Sequence, residues 1–208
     1  MIIDERYITL IEIINSNTIE ISSDKNFVNH INETHNFLIN EIKDGKPIYG
    51  ITTGYGASGK NYVSYEDSKI LQTNLFRFHG CGVGKKLSYK VCKYALIART
   101  ISLSKAKSGV SIELLKKLEM LIQKDIIPVI PSQGSVGASG DLTPLSYIAA
   151  AVAGEREVYY KGEIKDVMEV YNELNITPYE FKPKEALAIM NGTTIMSAIA
   201  LAAIEEFE

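Results

Sequence analysis

GSVGASGDLTPLSY, from Gly134 to Tyr147, sets three glycines three residues apart around an Ala138-Ser139-Gly140 step and then turns apolar. Glycine serves tight turns and close backbone approach at a cost to regular structure, so the run marks a backbone that side chains would obstruct. A plain tight turn before a helix is one reading. An anion cradle is another, because glycines ahead of a helix N-terminus present free N–H groups. The stretch has neither G-x-x-x-x-G-K-[ST] nor a strand-borne G-x-G-x-x-G, which weakens that reading. A serine nucleophile elbow fails on spacing, since G-x-S-x-G needs one more residue between Ser139 and Gly140.

A fourth reading uses all three residues of the tripeptide. With Ala138-Ser139-Gly140 bent tightly, the Gly140 nitrogen can attack the Ala138 carbonyl carbon and close a five-membered ring. Loss of that water and of the Ser139 hydroxyl leaves 4-methylidene-imidazol-5-one, MIO. Glycine admits the approach, alanine is small, and serine supplies the leaving group. The product is an electrophile of a kind that no ordinary side chain provides.

Outward from this loop the chain reads as mostly helical. LTPLSYIAAAVAG is a small-residue helix suited to close packing, and EVYYKGEIKD alternates around Lys161-Gly162 as a hairpin should. Ser64, Ser88 and Ser111 each stand where a helix begins. Residues 2–14 read as a short strand leading into a helix. KNFVNHINETHNFLINEIKDG is an amphipathic helix with Phe27, Ile31, Phe37 and Ile42 as its apolar residues and Gly45 as its exit. His30 and His35 fall on that polar helix and are expected in solvent. PVIPSQGSVGASGD is expected to be loop, with Asp141 capping the helix that follows. KEALAIMNGTTIMSAIALAAIEEF reads as one helix, apolar on nearly every side and buried in a bundle or an oligomer. It ends without cap, glycine or proline, as a truncated segment does; a natural C-terminal helix is the alternative.

The 208 residues are 46% hydrophobic, enough to bury a sizeable core. Lys+Arg 22 against Asp+Glu 25 gives a net charge of -3, which argues against a nucleic-acid partner. Cys81 and Cys92 are too few for a disulfide scaffold or a zinc site and read as small packing residues. MIIDERYITL lacks the basic and apolar runs of a signal peptide, and no apolar segment is long enough to span a bilayer uninterrupted. A cytoplasmic protein without a membrane partner is expected.

GSVGASGDLTPLSYIA resembles the fingerprint G-S-x-G-A-S-G-D-L-x-P-L of the aromatic amino acid ammonia-lyases, the histidine and phenylalanine/tyrosine enzymes, without a departure. Three further motifs follow the family's order. YGITTGYG (49–56) is similar to its Y-G-x-[NT]-T-G-F-G loop, with Tyr55 where phenylalanine is usual. LQTNLFRFHGCGVG (71–84) is similar to its substrate-selecting helix, and IMNGT (189–193) to its asparagine motif. The resemblance covers essentially the whole chain but only the N-terminal part of the family's length.

That resemblance implies a mainly α fold with a small β component, the N-terminal part of the histidine ammonia-lyase-like (L-aspartase-like) architecture. Residues 1–183 would form the ring-bearing domain and 184–208 the start of a central helical bundle. It implies MIO formed autocatalytically from Ala138, Ser139 and Gly140 as the electrophile, with no metal or dissociable cofactor. Tyr49 would be the catalytic base, Asn191 a donor to the substrate and the ring, and Asp141 a possible participant in ring formation. Phe78 and His79 occupy the pair that reads Ser-His in histidine enzymes, Phe-Leu in phenylalanine enzymes and His-Leu in tyrosine enzymes. Phe-His matches none of them cleanly.

The implied reaction is elimination of ammonia from an aromatic L-amino acid, histidine to urocanate first, with a phenylalanine or tyrosine lyase and an MIO aminomutase as alternatives. The implied assembly is a homotetramer whose sites draw on several subunits. The carboxylate-binding arginine and later catalytic groups of the family lie beyond Glu208, so the 208 residues alone are expected to be inert. An anion-binding interaction module is the alternative of another class.

Overall fold

Short-range signals account for most of the helices. The computed structural model describes residues 1–136 and 140–207. After strand β1 (Ile2–Ile3), helix α1 (Leu10–Ile14) starts in a capping box between Thr9 and Glu12. Strand β2 (Glu20–Ile21) pairs in parallel with β1, and the Glu119 carboxylate accepts the Ile21 N–H at 2.5 Å. Helix α2 (Lys25–Lys43) is capped by Asp24, whose carboxylate accepts the N–H groups of Asn26 and Phe27. Serine hydroxyls then accept the N3 N–H at the heads of α3 (Tyr65–His79), α4 (Tyr89–Leu103) and α5 (Ile112–Gln123), as the sequence led one to expect for Ser64, Ser88 and Ser111.

Strand β3 (Val83–Lys86) links α3 to α4, and strands β4 (Ile127–Pro128) and β5 (Pro131–Gln133) follow α5. Helix α6 (Leu142–Val152) has every residue from Pro144 to Val152 buried, and its alanines let α3 and α8 (Glu185–Met190) approach closely. Between them run strands β6 (Glu157–Tyr160) and β7 (Glu163–Asp166), the expected hairpin, and helix α7 (Val167–Glu173). Lys161 (φ 51°) and Gly162 (φ 79°) supply the two left-handed positions of its turn. Helix α9 (Thr194–Phe207) lies along α4, which is buried around most of its circumference. No helix among the described residues is long and apolar enough to cross a membrane.

Several expectations are corrected. On α2 it is His35, not Phe37, that joins Phe27, Ile31 and Ile42 inside; Phe37 is 67% exposed. Four residues separate Ile31 from His35, about one turn, whereas six carry Phe37 roughly 240° round the helix. His35 is thereby buried rather than solvated, with Nδ1 bonded to the Gly109 carbonyl at 2.9 Å. Cys92 is buried but Cys81 is exposed, so only Cys92 packs.

The stretch from Pro128 to Asp141 is not all loop. Strand β4 joins β6 in an antiparallel sheet of order β4-β6-β7, and β5 pairs antiparallel with β3. Prolines cannot donate, so neighbouring residues carry bonds on either side: Val129 N–H to the Glu157 carbonyl at 3.0 Å, and Leu87 N–H to the Ile130 carbonyl at 2.8 Å. The last helix is two helices, α8 and α9, broken at Asn191, Gly192 and Thr193.

Candidate active site

The break between α8 and α9 faces a cavity of about 420 Å³, an ordinary size for a small-molecule site. Tyr49, Tyr55 and Gly56 line it from one loop, and Leu71, Leu75, Phe78 and His79 from α3. Leu142 contributes from the head of α6, and Leu187 and Asn191 from α8 and its end. Tyr49, Phe78, His79 and Asn191, far apart in sequence, therefore share one cavity. Ala138 and Ser139 lie outside the described residues.

The loop carrying Tyr49 is folded by its own threonines. Thr52 Oγ1 accepts the Ile48 N–H and donates to the Lys46 carbonyl, both at 2.7 Å, and Thr53 Oγ1 accepts the Gly50 N–H at 3.2 Å. Gly50 takes φ +71°, a conformation that favours glycine. Tyr49 is 62% exposed and its phenol oxygen accepts the Gly56 N–H at 2.8 Å. Its ring meets Tyr55 edge-on with centroids 6.4 Å apart. Tyr55 buries its hydroxyl, which has no hydrogen-bond partner among the described residues, and that burial pushes its pKa up to about 12.

Helix α3 delivers Phe78 and His79 at its C-terminal end, with Leu75 and Leu71 one and two turns earlier on the same wall. Partial burial lowers the His79 pKa from the ordinary 6.5, because the imidazolium is the form that loses hydration. At neutral pH His79 is an uncharged ring with one donor and one acceptor nitrogen.

Gly140 pairs through a parallel bridge with Gly192, which sets the end of the glycine loop against the asparagine motif. Its φ of +76° favours glycine, and an added Cβ would already touch Thr193 Cγ2 at 3.4 Å. Ser135 Oγ donates to the Gly140 carbonyl at 3.0 Å.

Asp141 does not cap α6 with its side chain. Its carboxylate instead accepts the N–H groups of Ile195 at 2.8 Å and Met196 at 3.1 Å, the first turn of α9. A family model described as "Aromatic amino acid lyase" matches residues 8–208. The chain belongs to the aromatic amino acid lyase family.

Among relatives in this lyase family, histidine ammonia-lyase of Shouchella clausii is 38% identical over 91% of this chain and 38% of its own length. Histidine ammonia-lyase of Staphylococcus aureus (strain JH9) is 45% identical over 76% of this chain and 31% of its own length. The chain thus spans well under half the length of the curated relatives it matches. Phenylalanine aminomutase of Pantoea agglomerans has a similar structure, with a TM-score of 0.91 at 29% identity, over 100% of this chain and 40% of its own.

Sequence reading singled out four of the ten residues that line the aromatic lyase cavity. It missed the aliphatic wall of Leu71, Leu75, Leu142 and Leu187, three of which lie within the quoted motifs but were given no role. The departure at Tyr55 was visible, but its place in the lining was not.

Proposed function

We propose that this chain carries the electrophile-forming, base and ring-recognition part of an MIO-dependent ammonia-lyase that converts L-histidine to urocanate and ammonium. The observation that carries the reading is the convergence of Tyr49, Phe78, His79 and Asn191 on one cavity, beside the backbone bridge from Gly140 to Gly192. Cyclised from Ala138, Ser139 and Gly140 with loss of two waters, the ring supplies an electrophilic carbon that helps the amino group leave.

The protein's own side chains do the rest. Tyr49 takes the β-proton, and its bond from Gly56 N–H fixes where the phenol oxygen sits. Asn191 donates its amide hydrogens to the substrate. His79, uncharged at neutral pH, hydrogen-bonds the imidazole of the substrate, while Phe78 and the leucine wall pack against its faces. Histidine leads over phenylalanine and tyrosine because His79 can pair with a polar ring and because the relatives at 38% and 45% identity are histidine ammonia-lyases.

On this reading residues 1–183 form the ring-bearing domain, and 184–208 open a helical bundle. The exposed Met196, Ile199 and Phe207 of α9 would be covered by self-association into a homotetramer. Family resemblance assigns the substrate carboxylate to an arginine outside the matched segments, and on this reading the 208 residues alone would not turn over substrate.

The test is an assay of the longest gene product carrying this chain on histidine, phenylalanine and tyrosine, following ammonia and the unsaturated acid. Release of urocanate supports the reading. A β-amino acid product would make the protein an aminomutase, and turnover of none of the three would sink the proposal. An intact mass short by about 36 Da, two waters, would report ring closure independently of turnover.

A further inference from the structure

Arg99 stands in the middle of α4 and is only 4% exposed. Its Nη2 donates to the Ala188 carbonyl at 2.5 Å, and Nη1 to Thr194 Oγ1 at 3.4 Å. Its Nε–H has no partner, and no carboxylate pairs with the guanidinium among the described residues. Burial pulls its pKa down to about 10, which still leaves a cation at neutral pH. Burying a cation without a counter-charge is expensive, and an aliphatic side chain would fill the same space more cheaply.

What the guanidinium does there is visible in its partners. Ala188 and Thr194 lie three residues before and three after Asn191, one near the end of α8 and the other at the start of α9. Between them, Gly192 leaves room for the guanidinium, since an added Cβ would lie 2.3 Å from Nη1. Gly140 bridges to the same Gly192. A planar fork of donors can hold two separate helix ends at once in a fixed geometry, which an aliphatic chain cannot do and a freely rotating ammonium does less rigidly.

The charges at the head of α9 are also arranged in opposition. A cation there opposes the helix dipole, and the Asp141 carboxylate on the Ile195 and Met196 N–H groups offsets it.

We infer that Arg99 is the positioning residue for Asn191, clamping the α8–α9 break in the bend that presents the asparagine to the cavity. The inference rests on the proposed substrate-binding role of Asn191 for its kinetic consequence, but not for its structural one.

The test uses the longest gene product carrying this chain, with Arg99→Met, Arg99→Lys, Asn191→Ala and the double variant Arg99→Met/Asn191→Ala. Arg99→Met should speed amide exchange across Asn191 to Met196 by about tenfold or more, and leave the β6–β7 hairpin unchanged. It should lower kcat/KM about as far as Asn191→Ala, with the double variant no worse than either, because both remove one function. Arg99→Lys should restore part of the exchange protection. Unchanged exchange at the break, an acceleration spread evenly over the hairpin, or additive losses in the double variant would each overturn the clamp. Should Arg99→Met fail to fold, the exchange pattern of Arg99→Lys decides by the same criterion. If the unaltered protein turns over nothing, the proposed function fails while the exchange pattern still judges Arg99.

Discussion

The Asp141 carboxylate accepts the N–H of Ile195 at 2.8 Å, so a residue at the head of α6 caps α9, fifty-four positions later. One side chain thereby ties the end of the glycine loop to the helix that follows the asparagine motif. A negative group at a helix N-terminus satisfies otherwise orphaned donors and complements the dipole.

Asp141→Ala leaves two donors unsatisfied at the head of α9, one of them buried, and should cost about 2 kcal/mol of stability in urea unfolding. Asp141→Asn keeps an acceptor and should cost about half as much. A loss no greater than that of an exposed surface substitution would contradict the cap.

Glu185 is fully buried and satisfies four donors: Ser111 N–H and Oγ on one oxygen, and Tyr179 OH and Lys182 N–H on the other. It joins the start of α8 to the cap of α5. Glu185→Ala should destabilise by about 3 kcal/mol, and Glu185→Gln by less, since its amide oxygen still accepts. Equal effects of the two substitutions in thermal unfolding would show that packing, not hydrogen bonding, is what Glu185 contributes.

Tyr49→Phe removes the proposed base from an exposed position, so Tm should hardly move. Turnover by the longest gene product should fall by about 10²- to 10⁴-fold with KM little changed. A variant with near-normal kcat would assign the proton to another group.

Burial lowers the His79 pKa below 6.5, and the sign of its effect on stability follows. Above 6.5 the ring is neutral in folded and unfolded chain alike, and its contribution is constant. As the pH drops below 6.5 the unfolded chain takes up the proton first, so stability falls until the lowered folded-state pKa is passed. Urea midpoints of wild type should therefore decline relative to His79→Leu between pH 6.5 and the lowered pKa. A constant gap across that window would count against the shift. Because His79→Leu also makes the Phe-Leu pair of phenylalanine enzymes, it should move kcat/KM toward phenylalanine by roughly tenfold or more.

Much of this is legible in the sequence. The serine caps at positions 64, 88 and 111 act over three residues, and the Lys161-Gly162 turn joins adjacent strands, so the signal and its partner lie in the same short window. Of the residues named from the four family motifs, Tyr49, Phe78, His79 and Asn191 line one cavity, Gly140 does not line it, and Ala138 and Ser139 lie outside the described residues.

Other features could not be read, because their partners come from remote parts of the chain. Pro128 and Pro131 read as loop until β6 and β3 supplied the strands they pair with. His35 was read as a solvated residue of a polar helix, and the carbonyl that receives it belongs to Gly109. The break at Asn191 was hidden in an apolar run that reads as one helix. Its two sides are tied to remote residues, Ala188 to Arg99 of α4 and Ile195 to Asp141 ahead of α6. Local hydrogen-bonding chemistry is written in the order of the residues, so the sequence determined the family, the helices and the motif residues. Which buried charge meets which helix end depends on packing in three dimensions, and only the tertiary structure decided it.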